Sequence, residues 1–411
     1  MEKISFIEHF KAIEDERQEG KVKHPLISIF FIAVAAAIAR CDDWEETEAW
    51  AEERIGWFKK FVDLPFGIPS TSTFERVFRF VNPEQFEKCF VAWARDVVEV
   101  ARGQTVAIDG KTLRGAKSAV HIVSAWLCEN GLSLGEVKVD DKSNEITAIP
   151  ELLKLLSIEG AVVTIDAAGT QTAIAKQIVN ENKADYVLAL KGNQPSMHND
   201  AALLFTGVDI EKERDTDADG AGRKLSLAAV KMPSLIAAAG DSALSGDAPA
   251  FLSMDFQTTQ TVEKGHGRVD RRIYALVDDI GWLSRRDEWA GLQSIGVAAN
   301  ISTDISSGEV SSDVRFYLCS INGIEQFAKS VREHWGIESM HWTLDVAFNE
   351  DKSRIRKDNE PQNMAVIRKL AVNYLKQEKL KDKRRESYKV KRLRASVNEA
   401  YLERVMVGNL M

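Results

Sequence analysis

Two apolar segments of the chain each run into an aspartate at a polar turn: Thr105-Val106-Ala107-Ile108-Asp109-Gly110-Lys111 and Val162-Val163-Thr164-Ile165-Asp166-Ala167-Ala168-Gly169. Both read as short buried strands, rich in β-branched residues and closed by glycine. They commit the middle of the chain to a sheet. A carboxylate at the rim of such a strand stands on a rigid support and still reaches solvent. Two of them on neighbouring strands could hold divalent cations through oxygen ligands. The alternative is an aspartate that only caps the turn after its strand.

The surrounding pattern sets an organisation. Up to about residue 102 the chain reads as helical: Leu26–Ala39 is apolar throughout, Trp44–Phe61 is amphipathic, Pro69–Thr73 offers caps for Phe74–Val81, and a further helix spans Pro83–Ala101. From Gln104 the period changes. Val106–Asp109, His121–Cys128 and Leu132–Val139 read as strands, with Asn130-Gly131 as a hairpin signal. Ile146–Leu156 and Thr170–Asn182 then read as helices, and Ala161–Asp166 and Asp185–Leu190 as strands. A meander followed by alternating helix and strand predicts an α/β fold, a mixed sheet flanked by helices. A Gly/Ala/Asp/Ser-rich stretch at Asp215–Pro249 marks a boundary. Strands follow at Ser253–Val262, Val269–Val277, Ser294–Ile301 and Asp313–Cys319, and helices resume near Ile324. The predicted domains are 1–102, helical; 103–209, the first part of a core; 210–322, a strand-rich insertion; 323–380, the second part of the core; and 381–411, a basic helical tail.

Charge and cysteine usage narrow the function classes. Cys41, Cys89, Cys128 and Cys319 are scattered without CxxC spacing, against a zinc site or a disulfide framework. The run Leu26–Ala39 is too short to span a bilayer, and no signal-peptide pattern precedes it, so a cytoplasmic protein without a membrane partner is expected. Net charge is −8. From Asp351 to Met411, however, 17 Lys and Arg face 8 Asp and Glu, which makes that end +9 and the remainder −17. A local basic face of this kind binds phosphates whatever the global sign, or is a solvated helical surface. Aromatic residues are few in Lys376–Arg394, so any DNA contact there is expected through the phosphates.

A third polar constellation lies downstream. In Arg332-Glu333-His334-Trp335-Gly336-Ile337-Glu338-Ser339-Met340-His341-Trp342-Thr343-Leu344-Asp345-Val346, the residues His334, Glu338, His341 and Asp345 fall on one stripe of a helix. A polar face with satisfied histidines would give the same stripe. The loop Glu263-Lys264-Gly265-His266-Gly267-Arg268 combines glycines with basic residues, a pattern suited to phosphate contact or to a plain hairpin turn.

Six segments in order carry a resemblance: Ala107-Ile108-Asp109-Gly110-Lys111-Thr112-Leu113-Arg114-Gly115; Lys142-Ser143-Asn144-Glu145-Ile146; Thr164-Ile165-Asp166-Ala167 with Gln171; Tyr186-Val187-Leu188-Ala189-Leu190-Lys191-Gly192-Asn193-Gln194; Gly265-His266-Gly267-Arg268; and His334-Trp335-Gly336-Ile337-Glu338 through Val346. Together they resemble the H-repeat-associated, ISAs-type insertion-sequence transposases of the DDE class. The resemblance implies an RNase H-like core with Asp109, Asp166 and Glu338 as catalytic, metal-binding triad, and the strand-rich insertion between the second and third carboxylates. It implies Mg²⁺, with Mn²⁺ able to substitute, and two-metal cleavage of element ends followed by joining of 3′-hydroxyls to target DNA. It also implies double-stranded DNA as partner, a homodimer on that DNA, and a nucleoid-associated cytoplasmic location. An inactive DNA-binding descendant, or an RNase H-like nuclease without strand joining, would share these motifs.

One departure stands out. Related transposases often carry Tyr-x₂-Arg-x₃-Glu-x₆-Lys around the third carboxylate. Here Val331 takes the Tyr position, His334 the Arg position and Asp345 the Lys position. Asp345 is therefore a possible further metal ligand. Lys111, Arg114, Lys191 and Arg332 are candidate substitutes for the missing phosphate contacts, beside Lys264, His266, Arg268 and His334.

Overall fold

A computed structural model describes residues 6–113, 120–139, 144–206, 255–381 and 386–407. The chain divides into two compact bodies, Met1–Ala161 with Glu333–Met411, and Val162–Arg332. The first opens with helices α1 (Phe6–Phe10), α2 (Leu26–Ile38), α3 (Trp44–Glu52), α4 (Ile55–Phe58), α5 (Thr71–Phe80) and α6 (Pro83–Val97). Nearly all of α2 is buried. Ser28, which interrupts its apolar run, donates its hydroxyl to the Asp63 carbonyl at 2.8 Å and so enters the core satisfied.

The single helix expected over Trp44–Phe61 is two. Asp43 caps α3 by accepting from the Glu46 N–H, but Arg54 leaves the helical region at φ −124°, ψ 19°. Its guanidinium is held by the carbonyls of Trp50 and Ser396, so a tertiary contact sets the break. Similarly, α6 stops at Val97 because Val98 is extended.

Strands β1 (Thr105–Leu113), β2 (Val120–Leu127) and β3 (Leu132–Lys138) form an antiparallel meander, with Asp109 opposite Ser124 and Ser124 opposite Glu136. Asp109 is therefore not the last residue of its strand. Gly110 to Leu113 continue the ladder, although the chain from Asp109 to Thr112 is only part-buried or exposed before Leu113 is buried again. Helix α7 (Glu145–Leu155) follows, capped by the Asn144 side chain.

The second body begins with β4 (Val162–Ile165), α8 (Thr172–Asn180), β5 (Asp185–Leu190) and α9 (Pro195–Thr206). The Gly/Ala/Asp/Ser-rich stretch lies outside the described residues. Four longer strands come next: β6 (Gln257–Gly265), β7 (Arg268–Val277), β8 (Ser294–Asp304) and β9 (Val310–Cys319). β4 and β5 are parallel, β9 pairs antiparallel with β5, and the remaining ladders are antiparallel, giving the order β4-β5-β9-β8-β7-β6. The sheet is thus mixed, as expected for an α/β fold. Helix α10 (Ile324–His334) lays Phe327 on Gly296, where a Cβ would come within 2.5 Å of the ring.

The chain returns to the first body through α11 (Gly336–Ala347), α12 (Glu360–Lys381), α13 (Tyr388–Val397) and α14 (Glu399–Met406). Its core joins α2, α5, α6, α11, α12 and α14 around Phe30, Phe78, Phe86, Ile367 and Leu370. α12 is buried yet rich in polar residues, several of which find partners: Asn373 exchanges hydrogen bonds with the backbone of Ser133, and Lys369 donates to Ser124 Oγ at 2.9 Å and pairs with Glu136. Arg368, Lys369, Lys391 and Arg392, all from the basic end of the chain, are interior residues. Arg392 caps the Ala37 carbonyl at 3.0 Å, pairs with Asp42 at 2.9 Å and lies over the Phe348 ring.

Candidate active site

Strand alternation sends Asp109 and Lys111 to one face of β1 and Gly110 and Thr112 to the other. On the first face lies α11, whose Ile337, Met340 and Leu344 join Ala107 and Trp126 in the core. The predicted four-residue stripe is divided, because α10 ends at His334 and α11 starts at Gly336, with Trp335 between them at φ −67°, ψ −8°. Glu338, His341 and Asp345 share α11, and His334 belongs to the preceding helix.

Two rungs join α11 to β1. His341 Nδ1 stands 3.8 Å from Asp109 Oδ2, and Lys111 Nζ donates to Asp345 Oδ1 at 2.5 Å. The spacings match: four helical residues rise about 6 Å, and two strand residues about 6.6 Å. Lys111 also donates to Glu350 Oε2 at 2.7 Å, and Arg368 faces the other Glu350 oxygen at 3.7 Å. Burial alone would depress the Lys111 ammonium, but Glu350 and then Asp345 outweigh it and hold its pKa above the ordinary lysine value. Burial, aided by Lys111, pushes His341 down to about 4, so its ring is neutral. Glu338 lies exposed on α11. Asp345, open to a metal role from sequence, is thus engaged by a lysine that comes from the strand, not the helix.

The opposite face of β1 carries a chain of polar contacts that the sequence did not single out. Thr112 Oγ1 lies 2.8 Å from His121 Nδ1, and His121 Nε2 lies 2.6 Å from Glu145 Oε1. Gly110 makes room for it, since a Cβ there would sit 2.0 Å from Glu145 Oε1. Gly110, Thr112 and Glu145 fall within two of the segments that carry the resemblance, but the resemblance assigns them no role.

Asp166 belongs to the second body. It follows β4 and caps the turn Ala167–Gly169, accepting from the Ala168 N–H at 3.0 Å. The Lys191–Gln194 loop braces that turn: Asn193 donates to the Ala167 carbonyl at 2.6 Å, and Gln194 to the Thr170 carbonyl at 3.1 Å. Lys191 itself is exposed. The Gly-His-Gly loop is a two-residue hairpin between β6 and β7, with His266 at φ 50° and Gly267 at φ 76°, the left-handed pair a type I′ turn demands. Lys264, His266 and Arg268 are exposed at this tip. Arg332 and Arg272 both bond Glu263 Oε2, at 3.2 and 2.8 Å. Arg114 lies outside the described residues.

The acidic side chains offer oxygen donors only, which suits a hard divalent cation. Asp109 is part-exposed and Glu338 exposed. Among the described residues, no three His, Cys, Asp or Glu side chains already converge on a single point.

The profile of the Transposase DDE domain matches residues 101–374. The chain is 37% identical to YncI of Escherichia coli O157:H7, named as a candidate transposase, over 98% of this chain and 95% of YncI. It is 32% identical to YhhI of Escherichia coli strain K12, named as an H repeat-associated candidate transposase, over 100% of this chain and 99% of YhhI. The chain belongs to the H-repeat-associated DDE transposases. The domain associated with the DDE profile covers residues 7–94 of this transposase. A shorter relative in the same strain, YbfQ, is named an inactive transposase; it is 34% identical over 19% of this chain and 92% of its own length. Membership implies DNA as substrate and a divalent metal as the usual cofactor of such domains. Among the described residues of this transposase, no helix is long and apolar enough to cross a membrane.

Proposed function

We propose that this transposase cuts DNA at the ends of its element and joins the 3′-hydroxyls to target DNA, with Asp109, Asp166 and Glu338 as the residues that hold Mg²⁺ or Mn²⁺. The observation that carries this is the packing of α11 on β1, which brings the helix of Glu338, more than two hundred residues downstream, alongside Asp109. The antiparallel meander β1–β3 and the parallel pair β4–β5 support an RNase H-like core built from 103–209 and 323–380, with 210–322 as a strand-rich insertion. When bound, the ions would supply Lewis-acid activation of a water or 3′-hydroxyl and stabilisation of the leaving oxygen. The chain's own part is positional. β1 supplies a fixed support for Asp109, the 167–169 turn fixes Asp166, and the Lys111 clamp fixes the helix that carries Glu338. Exposed Lys191, Lys264, His266 and Arg268, with Arg114, are proposed as phosphate contacts, and a homodimer on DNA as the working form.

The test uses the full chain and a duplex bearing the inverted repeats that flank its coding sequence, with Mg²⁺ or Mn²⁺. Asp109→Asn, Asp166→Asn and Glu338→Gln are each expected to retain folding and DNA binding and to lose strand cleavage. Full cleavage by any of the three removes that residue from the triad, and cleavage without joined products reduces the activity to a nuclease.

A further inference from the structure

We propose that His341 is a positioning residue for Asp109, donating from Nδ1–H to Oδ2 and so holding the carboxylate in a fixed direction toward a metal ion. The inference rests on the reading of Asp109 as a metal ligand.

Three observations converge. First, the ring is aimed at the carboxylate: Nδ1 is its nearer nitrogen, 3.8 Å from Oδ2. A bare lone pair there would face an anionic oxygen and be repelled, whereas an N–H is attracted, so the proton belongs on Nδ1. Second, the other nitrogen has no competing claim on the ring. Nε2 is buried and has no hydrogen-bond partner among the described residues. A histidine kept in a core for its own polar satisfaction would have a partner there. Third, the ring cannot drift far. It sits on α11 one turn from Asp345, and Lys111 ties Asp345 to the same strand two residues beyond Asp109. The gap to a full hydrogen bond, at about 2.9–3.2 Å, is under 1 Å.

Carboxylates that ligate metals are themselves oriented by outer donors, and loss of such a donor typically weakens metal binding about 10–100-fold. The choice of nitrogen makes the inference testable with two polar variants. In His341→Asn the side-chain amide lies near the place of Nδ1. In His341→Gln it reaches toward the place of Nε2. Binding of MnCl₂ to the full-length protein without DNA is followed by the electron paramagnetic resonance of free Mn²⁺, with circular dichroism and melting to compare folding. The expected result is an affinity within about 3-fold of wild type for His341→Asn and about 10–100-fold weaker for His341→Gln. Equal affinities in all three proteins, equal loss in both variants, or retention by His341→Gln alone overturns the inference. Asp109→Asn separates it from its premise. If that variant binds Mn²⁺ as wild type does, Asp109 is not a ligand and both readings fall. If it loses Mn²⁺ while His341→Gln does not, only the role of His341 falls.

Discussion

Lys111→Met would cut the clamp between β1 and α11 while keeping most of the side-chain volume. Lys111 is 14% exposed and Glu350 only 3%, so the substitution strands a carboxylate in the interior. Removing one partner of a buried ion pair costs roughly 3–5 kcal/mol. The lower figure applies here, because Arg368 still faces Glu350 at 3.7 Å and Asp345 keeps access to water. For a body of this size, about 3 kcal/mol lowers the melting temperature by about 6–12 °C. The measurement is thermal unfolding by near-ultraviolet circular dichroism on Lys111→Met, Glu350→Gln and the double variant. The double should melt above Lys111→Met alone, because the stranded charge is gone. A Lys111→Met protein within about 0.5 kcal/mol of wild type, the range of an ordinary surface change, would refute the clamp. So would a loss of DNA affinity at unchanged stability, since the ammonium would then be serving phosphates.

Burial pushes Glu87 up to about 7, against the pull of the Gln362 amide 2.6 Å away and of Lys369. The native state therefore favours the protonated acid. That stabilisation is full below the unfolded carboxylate value near 4 and is lost as pH rises through about 7, so urea unfolding at pH 5 and pH 8 should show a fall of about 3 kcal/mol that Glu87→Gln abolishes. An unchanged pH dependence in the variant would show that the fall does not come from Glu87. Gly110→Ala should displace Glu145 from His121 and cost about 1–2 kcal/mol in urea unfolding, and combining it with Glu145→Ala should add nothing further. A larger loss in the double variant would mean that the new Cβ is also opposed by His121, whose Nε2 would lie 2.7 Å from it.

Much of the architecture could be read from local pattern. Asp185–Leu190 is a short run, apolar from Tyr186 onward, between polar turns, and its bounds were legible to the residue. What escaped depended on distant partners. The extension of β1 past Asp109 runs through Gly-Lys-Thr, which on its own reads as a turn; it is a strand because β2 pairs with it and because Glu145 occupies the space above the glycine. The break at Trp335 interrupts a periodicity that is unbroken in sequence. Asp345 read as a free carboxylate because its partner Lys111 lies 234 residues away. Of the candidate site, Asp109 and Glu338 were legible as carboxylates on a strand and a helix. The His341 contact, the Lys111 clamp and the bracing of the Asp166 turn by Asn193 and Gln194 emerge only when those elements meet.

The interior placement of Arg368, Lys369, Lys391 and Arg392 bears on how strongly salt should oppose DNA binding. Each phosphate neutralised by a surface cation releases counterions and steepens the fall of log affinity with log salt by roughly 0.9. These four cations face Glu350, Glu136, Glu378 and Asp42 instead, and they displace no ions from a duplex. The basic end of the chain can therefore contribute a slope roughly 3 to 4 units shallower than its sequence charge would give. In this stretch a sizeable share of the positive charge works as internal adhesive, and the electrostatic grip on DNA is left to the cations that stay on the surface.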